Sequence, residues 1–135
     1  DLQIAKDAGC ITVVGIEGLS SDISADIAIG SESDLNSRPE DSLSSFQRIV
    51  VTQGSRGSTE YSQDGSVFQK ALPANQVDAT GAGDAFLAGY ITAVAMGKDL
   101  ASERLFLGAT WAALAVESES SIPPVWSEVE KVLNR

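Results

Sequence analysis

Histidine is absent from the sequence, and cysteine occurs once, at Cys10. A single cysteine cannot form a disulfide within the chain, and the lack of histidine excludes His-based zinc sites, Ser-His-Asp triads and an imidazole base. A general base in this protein therefore has to be a carboxylate. The lone cysteine and the acidic composition also favour a cytoplasmic protein, because thiols stay reduced in that compartment.

Positive charge is scarce as well, since nine Lys and Arg stand against nineteen Asp and Glu and give a net charge of −10. No long basic stripe interrupts this balance, so we do not expect a nucleic-acid partner. Hydrophobic residues make up 43% of the chain, yet no apolar run approaches the roughly 18 residues that a bilayer span needs. The composition predicts a folded, soluble protein without a membrane partner.

The length of 135 residues suits a single domain over 1–135, and a chain of this size buries about two-thirds of its unfolded surface. The sequence starts at Asp1 rather than at a methionine and shows no signal-peptide pattern. We therefore expect a fragment or a processed piece of a longer protein.

Strand-like and helix-like patterns follow one another along the chain. The predicted strands are 11–16, 26–29 and 48–52, with a hairpin over 61–69 that turns at Asp-Gly. The predicted helices are 1–9, 81–96, 100–117 and 127–133. Segment 31–48 is expected to be a loop with a short polar helix. The first strand is continuously apolar, which is typical of a parallel strand covered on both faces, and the pattern as a whole predicts an α/β fold.

The start of the helix at 81–96 is rich in glycine. Thr80 is predicted to be the N-cap, and Gly81, Ala82 and Gly83 follow it. Several backbone N–H groups lack partners at such a helix start, no bulky Cβ shields them, and the helix dipole adds about half a positive charge. These residues predict an anion hole for a phosphate group.

Asp84 follows directly, so a carboxylate would stand beside the bound phosphate. Phosphoryl transfer needs a phosphate held in line, Mg²⁺ to neutralise its charge and a base at the attacking hydroxyl. Asp84 is the candidate for that catalytic base. The alternative interpretation is a plain capped helix with an aspartate that the dipole favours.

Segment 78–89, Asp-Ala-Thr-Gly-Ala-Gly-Asp-Ala-Phe-Leu-Ala-Gly, resembles the signature of ribokinase-like (PfkB) carbohydrate kinases. Segment 51–57, Val-Thr-Gln-Gly-Ser-Arg-Gly, resembles the strand and loop that precede it in the nucleotide site of that family. The resemblance runs from about residue 11 to the end. It implies a ribokinase-like, Rossmann-like three-layer sandwich, partly present, with a mostly parallel sheet, helices on both faces and a β-hairpin.

The resemblance also implies roles for individual residues. Thr52, Gly54 and Gly57 would line the phosphate and ribose side of ATP, although Gly-x-x-Gly after a strand is also an ordinary turn. Asp78 matches a position that helps to hold a monovalent cation such as K⁺ in some members, whereas an acidic residue before a helix is also favoured by the dipole alone.

The chain departs from the family at two places. Many members carry Asn-x-x-Glu after the second strand and use the Glu to organise Mg²⁺ through water, whereas this chain has Ser-Glu-Ser-Asp at 31–34. Asp34, or Glu32, is the candidate substitute, and a merely solvated side chain is the alternative. The contact to adenine stays unassigned, since Thr110 replaces a frequent Asn, and we expect Trp111 to be a core residue.

The resemblance covers only the C-terminal, nucleotide-binding portion of a family member. The sugar-binding residues and the lid of the family lie mostly in the N-terminal part, so we expect that segment, or another chain, to cover an exposed sheet edge. The implied activity is transfer of the γ-phosphate of ATP to a hydroxyl of a sugar-like alcohol. A non-catalytic nucleotide- or phosphate-binding module is one alternative. An NAD-dependent oxidoreductase is another, which fits poorly because Gly-x-Gly-x-x-Gly is missing.

Overall fold

The computed structural model describes residues 1–20, 22–118 and 123–135. These residues form two compact units, Asp1–Gln53 with Thr59–Val67 and Gly54–Ser58 with Phe68–Arg135. The helices of the described residues are α1 (Leu2–Asp7), α2 (Ala82–Ala95), α3 (Ala101–Glu117) and α4 (Trp126–Leu133). The strands are β1 (Val13–Gly15), β2 (Ala25–Ser31), β3 (Phe46–Thr52), β4 (Gly57–Ser62) and β5 (Gly65–Lys70).

The strands form one five-stranded sheet in the order β1-β2-β3-β4-β5. Strands β1, β2 and β3 pair in parallel, with Ile27 opposite both Val13 and Arg48 and with Ser31 opposite Thr52. Strands β4 and β5 are joined by two residues, which makes them the predicted hairpin. The parallel strands, the hairpin and the helices confirm the expected α/β class.

The core of the first unit lies along the parallel strands β2 and β3. Ile27 and Ala28 in β2 and Ile49 and Val50 in β3 are at most 1% exposed, which explains their continuous apolar sequence. Ala28 and Ile49 belong to one cluster of buried residues, whose members are Ile16, Ala25, Ala28, Phe46, Ile49 and Val51. Because both strands end at the same edge of the sheet, their C-terminal ends place Ser31 and Thr52 side by side.

Strand β1 differs from the prediction. It is three residues long, Val13 and Val14 are only half-buried, and Ile11 lies outside the strand with 59% of its surface exposed. The strand is at the edge of the sheet, so it has a neighbouring strand, β2, on one side only. Coverage of this edge by another segment or chain stays a prediction.

The second unit is built on close packing of α2 against α3. A Cβ on Gly89 would lie 2.7 Å from the carbonyl oxygen of Leu107, and a Cβ on Gly108 would lie 2.8 Å from the ring of Phe86. The absence of side chains at these two positions lets the helix backbones approach. A second core cluster follows, formed by Ala93, Leu107 and Val129 with the partly buried Trp111, Leu114 and Trp126.

No helix among the described residues combines the length and the apolar character needed to cross a lipid bilayer.

The close packing at Gly89 gives a stability prediction. We expect Gly89→Ala to lower the free energy of unfolding by about 2 kcal/mol, because the new methyl group meets backbone atoms of α3 that cannot rotate away. Gly83→Ala, in the first turn of the same helix, is the matched control: its Cβ has no neighbour within 4 Å, so the higher helix propensity of alanine should keep or raise stability, by up to about 1 kcal/mol. Urea unfolding measures both, and equal effects would contradict the packing described here.

A polar contact joins the start of β2 to the residue before β1. The backbone N–H and the hydroxyl of Thr12 both donate to Oδ2 of Asp26, at 2.7 and 2.8 Å. The Thr12 backbone N–H, aided by its hydroxyl and by the charges of Lys6 and Arg48, holds the pKa of Asp26 below its usual value of 3.8, although partial burial acts in the opposite direction.

This contact makes stability depend on pH. A carboxyl group with a lowered pKa in the folded state stabilises the fold above its unfolded pKa, and the contribution disappears as the pH falls through the folded pKa. We expect Asp26→Asn to cost about 1 kcal/mol at pH 7. The difference from the wild type should shrink as the pH falls below 3.8, the ordinary pKa of the group. Urea unfolding across this range tests it, and a difference that does not vary with pH would refute it.

Candidate active site

The turn before α2 departs from the prediction in one respect. Gly81, not Thr80, is the N-cap residue, and its φ of +79° lies in the left-handed region. The side chain of Thr80 does not cap the helix; instead, the backbone N–H of Thr80 donates to Oδ1 of Asp78 at 2.8 Å. Glycine is the residue that adopts a left-handed conformation without steric cost, so it can start the helix here in place of a capping side chain.

The predicted anion hole lies at this helix start. A Cβ built on Gly81 or on Gly83 meets no other atom within 4 Å, and both glycines are exposed. The N–H groups of Gly83 and Asp84 have no carbonyl partner within the helix because they belong to its first turn. The N–H of Ala82 donates to the carbonyl of Ala79 at 3.2 Å. An open helix start with accessible N–H groups fits a phosphate group.

Asp84 occupies the third helical position after the cap, in the first turn of α2. Its side chain is exposed, whereas the next two residues, Ala85 and Phe86, are 6% and 5% exposed and belong to the buried side of the helix. The helix therefore holds a solvent-accessible carboxylate within one turn of the open amide groups. This is the arrangement expected of a base that acts next to a bound phosphate.

Asp78 is engaged by Thr80. Hydrogen bonds from the backbone N–H of Thr80 and, secondly, from its side chain lower the pKa of Asp78. The carboxylate stays exposed, so these contacts leave room for a further ligand. Binding of a monovalent cation by Asp78 stays a prediction.

Thr52 ends strand β3 in the first unit. Its hydroxyl donates to the carbonyl oxygen of Gly30 at 3.2 Å, and its backbone lies in register with Ser31. The first unit thus brings the predicted nucleotide residue Thr52 to the same sheet edge as the segment that carries Glu32 and Asp34. In open parallel sheets, ligands bind at the carboxyl ends of the strands.

Glu32 and Asp34 lie in a single 3-10 turn, Glu32–Asp34, which Ser31 caps by accepting a hydrogen bond from the N–H of Ser33 at 3.3 Å. Both carboxylates are exposed. Within residues 1–20, 22–118 and 123–135, no three Asp, Glu or Cys side chains cluster to hold a metal ion. Mg²⁺ in kinase sites is usually held by one or two carboxylates together with substrate phosphates, so a role for either residue through water remains a prediction.

The two glycines of the predicted nucleotide loop have different structural reasons. Gly57 has a φ of +133°, and a Cβ there would collide with the carbonyl oxygen of Gln69. Packing alone therefore accounts for glycine at this position. Gly54 has a φ of +59° with open space in front of it. Of the two, Gly54 is the glycine whose surroundings admit a ligand.

The polar groups of Thr110 and Trp111 form hydrogen bonds within the second unit. Thr110 is 1% exposed and donates its hydroxyl to the carbonyl of Phe106. The indole N–H of Trp111 donates to the carbonyl of Pro124 at 2.9 Å, and its ring packs against Trp126. Trp111 is partly buried and packs against the second core cluster, which agrees with the prediction that it is a core residue.

Sequence reasoning missed the support of the loop before Gly81. The backbone N–H groups of Val77 and Asp78 both donate to the carbonyl of Val116, at 2.8 and 3.2 Å. The N–H of Asn75 donates to Oε1 of Glu117 at 3.1 Å. Val116 and Glu117 are the last residues of α3, and a contact made by a main-chain carbonyl has no signature in the sequence.

Comparison with known proteins identifies relatives of the chain. The model of the pfkB family of carbohydrate kinases matches residues 25–128. A nucleoside kinase of Methanocaldococcus jannaschii is 35% identical over 104 residues, which are 75% of this chain and 34% of that protein. An inositol 3-kinase of Zea mays is 39% identical over 75 residues, which are 56% of this chain and 19% of that protein.

Solved structures share the fold. The crystal structure of the Methanocaldococcus jannaschii nucleoside kinase, a member of the ribokinase family, matches with a TM-score of 0.79 and 26% identity, over 98% of this chain and 52% of that one. A ribokinase II of E. coli in complex with ATP and Mg²⁺ matches with a TM-score of 0.71 and 27% identity, over 82% of this chain and 40% of that one.

The chain thus spans about a third of the curated nucleoside kinase and about half of its solved structure. The family match covers most of the chain, including the sheet edge at Thr52 and the helix start at Gly81. The chain belongs to the pfkB family of carbohydrate kinases.

Proposed function

We propose that the protein carrying this sequence transfers the γ-phosphate of ATP to a hydroxyl group of a sugar-like alcohol. The observation that carries this proposal is the start of α2, where accessible amide groups and the exposed carboxylate of Asp84 lie within one helical turn. The amide groups can bind a phosphate, and the carboxylate can accept a proton. In this proposal residues 1–135 form the nucleotide-binding, C-terminal portion of the kinase.

In the proposed reaction the transferring phosphate lies against Gly81, Ala82 and Gly83. The unpaired N–H of Gly83 and the dipole of α2 stabilise the charge on its oxygens, whereas the N–H of Ala82 is bonded to the carbonyl of Ala79. Asp84 accepts the proton of the attacking hydroxyl as the new O–P bond forms. The carboxylate needs no unusual basicity, since its placement near the reacting oxygen contributes most. Loss of the proton makes the acceptor oxygen a better nucleophile.

Two further residues are proposed to contact the nucleotide. Thr52 at the end of β3 and Gly54 in the 3-10 turn that follows would contact the phosphate and ribose side of ATP, as the family resemblance implies. Gly57, the third residue of the predicted set, begins β4 and is buried beside the backbone of Gln69. Bound with ATP, Mg²⁺ supplies positive charge to the phosphates, and Asp34 or Glu32 would hold it through water. Asp78 would hold a monovalent cation such as K⁺. The E. coli relative in complex with ATP and Mg²⁺ supports the choice of nucleotide and metal.

The acceptor belongs to a chemical class shared by the relatives. Nucleosides, inositol and ribose all present hydroxyl groups on a ring or on a carbon attached to it, and proteins named for these acceptors resemble the chain. We propose a polyol or nucleoside acceptor and a cytoplasmic location, where ATP is available.

A non-catalytic nucleotide-binding module is the second candidate. The replacement of the Asn-x-x-Glu pattern by Ser-Glu-Ser-Asp at 31–34 favours it, because the shorter Asp34 changes the reach of the carboxylate. Both candidates bind ATP, whereas only the kinase turns it over. The NAD-dependent alternative has lost its support, since the chain belongs to a carbohydrate kinase family.

Substitution of the proposed base tests the reaction. In the protein that carries this sequence, we expect Asp84→Asn to lower kcat by roughly 10²- to 10⁴-fold, because asparagine cannot accept the proton. The dissociation constant of ATP should change by less than about threefold. A coupled ADP-release assay with ribose, inositol and purine nucleosides as acceptors measures kcat, and calorimetry measures ATP binding.

Asp99→Asn is the matched control for the change of charge. Asp99 is exposed and follows the C-terminal end of α2, whose fourteen residues span about 21 Å. Turnover should be unchanged in this variant. Turnover of Asp84→Asn near that of the control would remove Asp84 from the mechanism, and absence of turnover in the wild type with every acceptor would favour the non-catalytic module.

A second substitution tests the anion hole. We expect ATP to bind in the presence of Mg²⁺ and Gly83→Ala to weaken that binding about tenfold, because the added methyl group fills the space where phosphate approaches the backbone. Calorimetry with ATP, ADP, inorganic phosphate and NAD compares the ligands. Unaltered ATP affinity in Gly83→Ala would show that the phosphate binds elsewhere, and a preference for NAD would contradict the kinase.

A further inference from the structure

Asp78 precedes the open helix start at Gly81 by three residues. Both its side chain and its backbone N–H form hydrogen bonds. Its side chain accepts the N–H of Thr80 at 2.8 Å, and its backbone N–H donates to the carbonyl of Val116 at 3.2 Å. Asp78 therefore joins the C-terminal end of α3 to the residue before Gly81. All of these residues lie in the second compact unit.

The end of α3 is suited to this contact. The last carbonyl groups of a helix lack intrahelical partners and carry partial negative charge. The carbonyl of Val116 accepts two backbone N–H groups, from Val77 and Asp78, and the carboxylate of Glu117 accepts the N–H of Asn75. The chain is thus held at 75–78, several residues before the helix that carries the amide groups begins.

The remaining link is the passage from Asp78 to Gly81. Gly81 adopts a left-handed conformation in which the backbone of glycine has more freedom than that of other residues. No side chain caps the helix at Gly81 to limit this freedom. The contact between the Asp78 carboxylate and the N–H of Thr80 restrains the residue directly before it.

We propose that Asp78 is a positioning residue, whose carboxylate fixes Thr80 and thereby the direction of the amide groups at the start of α2. The inference rests on the proposed function, in which those amide groups hold the transferring phosphate. Hydrogen-bond acceptance by Asp78 carries this role, and its negative charge does not. Asparagine can accept the same N–H through its side-chain oxygen, whereas alanine cannot.

Two substitutions separate hydrogen-bond acceptance from charge. In the protein that carries this sequence, Asp78→Ala should lower kcat about tenfold with a smaller change in the KM of ATP, since misdirected amide groups weaken the transition state most. At saturating K⁺, Asp78→Asn should keep a clearly higher kcat than Asp78→Ala, because its amide oxygen still accepts the N–H of Thr80. Asp99→Ala is the control for loss of an exposed aspartate. Each variant is assayed over a series of K⁺ concentrations.

If Asp78 acts only as a ligand of a monovalent cation, Asp78→Asn will lose as much activity as Asp78→Ala and its response to K⁺ will change. That result overturns the inference. Equal activity of Asp78→Ala and wild type overturns it as well. Thermal unfolding of all variants at the same temperature as the wild type shows that the differences do not come from loss of the fold.

A measurement without catalysis distinguishes failure of this inference from failure of the proposed function. In amide NMR spectra, Asp78→Ala should shift the resonances of Thr80, Gly83 and Asp84 and speed hydrogen exchange at Thr80, and Asp78→Asn should leave them near their wild-type values. If the wild type transfers no phosphate, the proposed function fails and these spectra still decide the role of Asp78. Unchanged Gly83 and Asp84 resonances in Asp78→Ala refute it.

Discussion

The left-handed conformation of Gly81 is the constraint on which the rest of the candidate site depends. At this residue the chain changes from the loop at 75–80 into α2, and the N–H groups of Gly83 and Asp84 in the first turn of the helix are left without a carbonyl partner. A residue with a side chain would adopt this φ only at a steric cost, and a capping side chain would occupy the N–H groups that a phosphate needs. The absence of a side-chain cap and the accessibility of the amide groups therefore have the same origin.

The loop before Gly81 replaces the missing cap. In many helices the capping side chain both satisfies the first N–H groups and sets the direction of the incoming chain. Here the direction of the incoming chain is set by contacts of the residues before Gly81. These contacts join Asp78 to Thr80 and the loop to the last carbonyl groups of α3. A helix start can thus be ordered while its N–H groups stay accessible.

In the proposed function, the local dipole at the start of α2 is more important for phosphate binding than the net charge of residues 1–135. A chain with a net charge of −10 repels a nucleotide at long range. The amide groups of α2 act over short distances, where the partial charges of a helix start are effective. Within the first unit, the parallel register that brings Thr52 beside Ser31 puts the other predicted ligand residues at the carboxyl edge of the sheet. Each unit orders its own residues through its own core.

Local patterns in the sequence were sufficient for the helices, for the buried strands β2 and β3, for the hairpin and for the exposed helix start with Gly83 and Asp84. Strand and helix periodicities, and the conformational freedom of glycine, act between residues that are close in the chain. Those properties do not need a partner from elsewhere in the fold, so they can be predicted without one.

Only the tertiary structure decided that β1 is a short, half-exposed edge strand, that Gly81 rather than Thr80 starts α2, and that Gly57 lies against the backbone of Gln69. Only the tertiary structure likewise showed that the carbonyl of Val116 accepts hydrogen bonds from the N–H groups of Val77 and Asp78. The contacts of Gly57 and Val116 depend on which backbone atoms of separate segments meet. Main-chain groups are the same in every residue except proline, so contacts between them leave no pattern in the sequence.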